Sequence, residues 1–253
     1  MTAPGTRPPA WHGDGTVPAD VSAVLWDIDG TLIRSNGVGS LAFERAVTHV
    51  VGSPPAARVA MAGKTDPQIA REWLEALGAA AVGTAALDAL VDEVLERLEH
   101  EMSVARHEMT SRGHVLPGVE SLLERFRDDP KVVQTVLTGN IEPNARVKLE
   151  AFGIHVLVDL EVGAYGSDHP DRTRLVPVAL GRVRQLRGAT VEPTRTWVVG
   201  DTPRDLLCAR AAGARCLLVA TGGYGEDDLA GLGADAVMAD LSDVEAVAAL
   251  LKS

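Results

Sequence analysis

Cysteine is scarce in this 253-residue chain, which holds only Cys208 and Cys216. Two thiols cannot build the disulfide framework of a small secreted domain; they read as buried thiols in a reducing compartment. Positive charge is also short. Lys and Arg number 24 against 35 Asp and Glu, a formal net charge of −11. That balance excludes a general basic footprint for nucleic acid or anionic lipid, and leaves only a local basic spot for a phosphate ester. No run of ~18 apolar residues occurs, so no membrane span is expected. The first residues lack the charged-then-apolar pattern of a secretory signal, and a cytoplasmic location is expected. Residues 1–20, rich in Pro, Gly and Thr, are expected to form a disordered tail.

What the chain does carry is concentrated at residues 21–32. An apolar run over 21–26 reads as a buried parallel strand, and it ends in Asp27-Ile28-Asp29-Gly30-Thr31-Leu32. In an extended strand, residues i and i+2 point to the same side. Asp27 and Asp29 therefore converge just past the strand's carboxyl end, where open α/β sheets bind ligands. Two carboxylates so close either repel or share a cation. Taken alone, the same residues are equally an Asp-Gly turn after a strand.

Residues 36–113 read as helix throughout. Leu41, Ala42, Arg45, Ala46 and His49 share one face of a first helix. Asp66 is the expected N-cap of a second, with Pro67 at its first position. Thr84 is the expected cap of a long third helix running to about Arg112, closed by Gly113. From Val115 the texture changes to strands alternating with helices. Strands are expected over 132–137, 156–162, 196–199, 216–220 and, briefly, 236–239. The alternation predicts an α/β fold with a doubly wound, Rossmann-like parallel sheet. The division expected is a core of 21–35 and 114–253 with an inserted all-helical domain at 36–113. Hinges are expected near 34–39 and 112–117.

Three strands end in polar clusters: Asp27-x-Asp29-Gly-Thr, Thr138-Gly139-Asn140, and Gly200-Asp201-Thr202-Pro203-Arg204-Asp205. Parallel strands put their carboxyl ends on one edge, so the clusters should meet in one crevice. In this order the set resembles the haloacid dehalogenase-like hydrolase superfamily, and more narrowly its phosphoglycolate-phosphatase-like members. Residues 27–32 match the D-x-D-G-T-L first motif, Thr138 the second, and residues 200–205 the G-D-x-x-x-D last motif. The third motif, a basic residue often written Lys-Pro, departs from the pattern: Arg172 is the first candidate and Arg174 the second. The resemblance implies a Rossmann-like core, a helical cap after the first strand, and Mg²⁺-dependent phosphoryl transfer through an aspartyl-phosphate.

The residue chemistry agrees. A carboxylate can act as a covalent nucleophile, here Asp27. Mg²⁺ takes hard oxygen ligands, which Asp27, the backbone carbonyl of Asp29, and Asp201 can supply. Asp205 could ligate a metal-bound water or orient the site. Asp29 is the expected general acid and then base. Thr138, Gly139, Asn140 and Arg172 are expected to hold the phosphoryl oxygens. Lys64, in Ala62-Gly63-Lys64-Thr65, lacks the preceding strand of a nucleotide P-loop and is instead the expected substrate contact from the cap, or else a solvated turn lysine. His100 and His107 read as a solvated helix face, residues 221–225 as a turn, and Trp26, Trp197 and Phe152 as core. The expected activity is hydrolysis of a small-molecule phosphate monoester. A phosphomutase on the same carboxylates, or a catalytically idle binding protein, is the alternative; a dehalogenase would not need Asp29. No nucleic-acid or membrane partner is expected, and either a monomer or a dimer fits.

Overall fold

The structure is a computed structural model that describes residues 21–55 and 59–253. The tail expected at 1–20 lies outside the described residues. The first strand β1 (Ser22–Trp26) is followed by a short β2 (Ile33–Arg34). Four helices come next: α1 (Val38–Val51), α2 (Asp66–Ala76), α3 (Thr84–Val104) and α4 (Arg106–Arg112). Then β3 (His114–Val115), α5 (Val119–Arg127), β4 (Val132–Val136), α6 (Glu142–Ala151) and α7 (Leu175–Arg187) lead to β5 (Thr196–Gly200). The chain closes with α8 (Pro203–Ala212), β6 (Arg215–Val219), α9 (Glu226–Ala230), β7 (Ala236–Met238) and α10 (Val244–Leu251).

Five strands form one parallel sheet in the order β4-β1-β5-β6-β7. Alternation along β1 sends Val24 and Trp26 to one face, and Ala23 and Leu25 to the other. The first face is covered by α5, α6 and α10, through residues such as Phe126, Leu149 and Leu251. The second is covered by α7, α8 and α9, through Val176, Ala209 and Leu229. Both faces are thus buried, as a parallel sheet requires. The chain has the doubly wound α/β fold expected.

Helices α1 to α4 gather a third apolar cluster, with Phe43 and Trp73 in ring contact at 5.5 Å between centroids. Two connections join this block to the sheet, and they pair as the antiparallel ribbon β2–β3, Ile33 with Val115 and Arg34 with His114. Two-residue strands carry no periodicity, so the ribbon was not legible in the sequence.

Three local expectations need correction. Residues 156–162 are not a strand. They form 3-10 turns, Ile154–Leu157 and Leu160–Val162, lying along the edge of β4. The edge is satisfied by single bonds: Asp159 N donates to Gln134 O at 3.0 Å, Thr135 Oγ1 to Asp159 O at 2.5 Å, and Ala164 N to Val136 O at 2.9 Å. A short buried apolar run reads the same in a strand or in a turn. The long helix after Thr84 breaks at Ala105, and its N-cap is Gly83, not Thr84. The second helix is capped by Thr65, whose side chain accepts from Gln68 N, so Asp66 sits one residue inside and its carboxylate is released for another partner.

Candidate active site

The carboxyl ends of β1, β4 and β5 bring Asp27, Thr138 and Asp201 to one cavity of about 240 Å³. Its floor is the sheet edge. Its opposite wall comes from Phe43, Met61, Ile69, Leu98 and Met102 of the helical block. Asp27 and Asp201 are 5% and 4% exposed and Asp205 is fully buried.

Arg172 holds the centre of this group. Its Nη2 donates to Asp27 Oδ1 at 2.9 Å and to Asp205 Oδ1 at 2.5 Å. Arg174, two residues on, is exposed. Burial works against the Arg172 charge, but Asp205 and Asp27 outweigh it and raise its pKa. Asp205 uses its other oxygen on Thr202, accepting from the backbone N at 3.0 Å and from Oγ1 at 2.7 Å. That reciprocal cap starts α8. Both Asp205 oxygens are therefore engaged, which suits an orienting role better than ligation.

Burial pushes Asp27 up to about 7, against the pull of Arg172 and with Asp205 adding to the rise. Asp201 is pushed up to about 8 by burial and then by Asp27 and Asp205. One oxygen from each of these three carboxylates lies within 4.8 Å of the others. Asp201 Oδ1 is buried and has no hydrogen-bond partner. Crowded hard oxygens with an orphaned atom and raised proton affinity fit a divalent cation, which relieves both the repulsion and the desolvation. Space is kept around Asp201 by two glycines: a Cβ at Gly30 would stand 2.5 Å from Asp201 Oδ2, and one at Gly222 only 1.6 Å. Gly222 belongs to the segment 221–225 that reads as a plain turn in the sequence.

Asp29 points to the other side of the cavity mouth. Its Oδ2 accepts from Lys148 Nζ at 2.5 Å and from Asn140 Nδ2 at 2.8 Å. Burial would raise Asp29, but the charge and hydrogen bond of Lys148, with Asn140, hold it below the usual carboxylate range. Thr138 Oγ1 accepts from Asn140 N at 3.2 Å and from Asn140 Nδ2 at 2.8 Å, fixing the Thr138-Gly139-Asn140 loop. Lys148 belongs to none of the motifs the sequence displays. The signal for it was Asn144 and Lys148, four apart on a helix whose apolar Ala145 and Leu149 face inward, so that two polar residues share the buried side.

The loop carrying Lys64 packs directly on this edge. Asp66 N donates to Gly139 O at 2.7 Å, Thr65 Oγ1 to Pro170 O at 2.7 Å, and Ile141 N to Asp66 Oδ2 at 2.9 Å. Lys64 lines the cavity, but its ammonium is paired with Glu72. Burial, partly offset by Lys148, pushes Asp66 up to about 6. His100 and His107 are exposed on α3 and α4. Trp26 and Trp197 are buried in the core.

The haloacid dehalogenase-like hydrolase pattern matches residues 24–210. The chain is 31% identical over 212 residues to the phosphoglycolate phosphatase of Xanthomonas campestris, covering 81% of this chain and 86% of the relative. To that of Chromobacterium violaceum it is 28% identical over 230 residues, covering 88% and 95%. A hydrolase from Pseudomonas syringae superposes with a TM-score of 0.64 at 22% identity, covering 92% of this chain and all of the other, a likeness of fold. The chain belongs to the haloacid dehalogenase-like hydrolase family. It is a phosphoric monoester hydrolase of that family.

Proposed function

We propose that this phosphatase hydrolyses a small-molecule phosphate monoester through an aspartyl-phosphate on Asp27. The observation that carries the reading is Asp27 itself: buried at the carboxyl end of β1, held by Arg172, and with a carboxylate oxygen within 4.8 Å of one from Asp201. An Asp27 oxygen attacks phosphorus as the ester P–O bond breaks. Asp29 gives its proton to the departing oxygen and then takes one from the water that attacks phosphorus, as the Asp27–phosphoryl bond breaks. Lys148 favours the ionised form of Asp29, while an arriving phosphate dianion works the other way and raises its hold on a proton. Thr138, the backbone of Gly139 and Asn140, and Arg172 hold the phosphoryl oxygens. Mg²⁺ would be held by Asp27, Asp201 and the Asp29 backbone carbonyl, and would supply charge neutralisation between nucleophile and phosphate. Asp205 keeps Arg172 in place.

We further propose that residues 36–113 act as a cap whose loop at 61–66 excludes water from the phosphoryl group. Its own apolar cluster and the two connections at the β2–β3 ribbon support this. Among the described residues no helix is long and apolar enough to cross a membrane. Phosphoglycolate, named for the relatives, is the first ester to test. The decisive assay is phosphate release from phosphoglycolate, a panel of other small phosphate esters and a generic aryl phosphate, with and without Mg²⁺. Hydrolysis that needs both Mg²⁺ and Asp27 is expected; turnover indifferent to Asp27→Asn would overturn the mechanism.

A further inference from the structure

We propose that Lys148 is a positioning residue for Asp29, fixing the carboxylate in the rotamer from which it transfers protons. The inference rests on the acid–base reading of Asp29 and adds to it a group outside the motifs that identify the family in this sequence.

Lys148 lies on α6, lines the cavity beside Asp29, and is only 4% exposed. A buried ammonium is costly unless paired and hydrogen-bonded. Here its Nζ donates to Asp29 Oδ2 at 2.5 Å and to Asn140 Oδ1 at 2.6 Å. Asn140 closes the arrangement by donating its Nδ2 to the same Asp29 oxygen and to Thr138 Oγ1, both at 2.8 Å. Two donors thus converge on Oδ2. Among the described residues no hydrogen bond reaches Oδ1, which leaves that oxygen to the cavity. An Asp side chain without such anchors has two soft torsions and can turn either oxygen anywhere at the cavity mouth. A proton donor must come within about 3 Å of the oxygen it serves, so fixing one oxygen aims the other.

The placement on α6 makes this more than a local ion pair. Asn144, one turn earlier, is fully buried, and its Nδ2 lies 3.4 Å from Asp66 Oδ2. The same helix face therefore addresses Asp29 from the sheet edge and Asp66 from the loop at 61–66. In the reaction Lys148 keeps its proton throughout. The proton that moves is carried by Asp29, first to the ester oxygen and then from water.

The test compares Lys148→Met and Lys148→Gln with Asp29→Asn on two substrates, an alkyl phosphate and an aryl phosphate with a good leaving group. Thermal melts select whichever Lys148 variant is folded. The ratio kcat/KM reports steps up to transfer of phosphoryl to Asp27, where only the alkyl ester needs a proton for its leaving oxygen. Each Lys148 variant is expected to lose about 10²-fold in kcat/KM on the alkyl ester and less than about 5-fold on the aryl ester. Lys148→Arg should recover part of the alkyl activity. Combining Lys148→Met with Asp29→Asn should be no worse than Asp29→Asn alone, since both act on one proton transfer. Equal losses on both esters, or additive losses in the double variant, would overturn the positioning role while leaving Asp29 as acid and base. An Asp29→Asn variant that did not itself distinguish the two esters would overturn both readings together.

Discussion

At the scale of single residues, the nucleophile's surroundings are a balance between the Arg172 guanidinium and the buried carboxylates Asp27, Asp201 and Asp205. Arg172 is the counterion to Asp27 and Asp205, with all three almost without solvent. Removing one partner of such a group leaves uncompensated buried charge, at a cost of about 3–5 kcal/mol. Arg172→Ala is therefore expected to lower Tm and abolish turnover, whereas exposed Arg174→Ala should change neither; melting curves and steady-state rates on the same preparations decide it. Asp27→Asn should keep the fold and show no turnover, because an amide oxygen cannot form the acyl phosphate. Asp66 gives a pH prediction. Its carboxyl is held at about 6 in the fold against 3.8 as its ordinary value. Between those values the native state binds the proton and the unfolded chain does not. The contribution of Asp66 to stability therefore falls as pH rises from about 4 to 6 and then levels, with the full cost of its buried charge felt above pH 6. Asp66→Asn should accordingly raise stability at pH 7.5, by about 1–2 kcal/mol, and by less at pH 5. Denaturant melts at the two pH values measure the difference, and an equal gain at both would place the effect elsewhere.

At the scale of elements, what matters is how a loop from the helical block is seated on strand ends. Gly63 has φ +68°, and a Cβ there would stand 2.5 Å from Thr202 Oγ1 and 2.8 Å from Arg204 Cδ. Gly63→Ala meets both a left-handed backbone, disfavoured by roughly 1–2 kcal/mol, and a clash with the first turn of α8. The expected outcome is a raised KM and faster proteolysis within 59–66, with the melting of the sheet little changed. Gly139 has a comparable constraint, since its Cβ would fall 2.0 Å from Lys64 O. The 154–162 segment shows the opposite relation between sequence and element. Its residues Ile154, Leu157, Val158, Leu160 and Val162 are buried, yet they lie against β4 as turns and not as the strand expected. Gln134 Nε2, from within β4, reaches out to Leu157 O at 2.7 Å, and a flat neighbouring strand would not present its carbonyls that way.

At the scale of the whole molecule, the acidic cluster sits where the adjacent inner strands β1 and β5 end side by side. A cation that binds the folded chain alone stabilises it by mass action, about 2.7 kcal/mol at roughly a hundredfold excess over Kd. Mg²⁺ is thus expected to raise Tm by ~5–10 °C for a chain of this size. Asp201→Asn should raise Tm in metal-free buffer above about pH 8, where the carboxyl is ionised and repels Asp27 and Asp205, and should abolish the Mg²⁺-dependent rise. Differential scanning calorimetry with chelator and with Mg²⁺ reads both effects without any assay of activity. A full Mg²⁺ response in Asp201→Asn would remove Asp201 from the metal site.

Much of this protein was determined by sequence alone, because its strongest signals are local and periodic. The apolar run into Asp27-x-Asp29-Gly-Thr, the strand ends at Thr138 and Gly200-Asp201, and the alternation of strand and helix dictate a doubly wound sheet with three polar clusters on one edge. Parallel strands allow no other edge for them. The tertiary structure decided what depends on contacts between residues far apart in the chain. Arg172, rather than Arg174, meets Asp27, 145 residues away, because the 3-10 turn before α7 buries one guanidinium and exposes the other. Lys148 meets Asp29 across 119 residues, and Asp66 meets Ile141 across 75. Gly222 makes room for a carboxylate on a different strand. None of these pairings has a spacing that a linear pattern could register, since what selects them is the cost of leaving charge or volume unmatched once the sheet has closed over it.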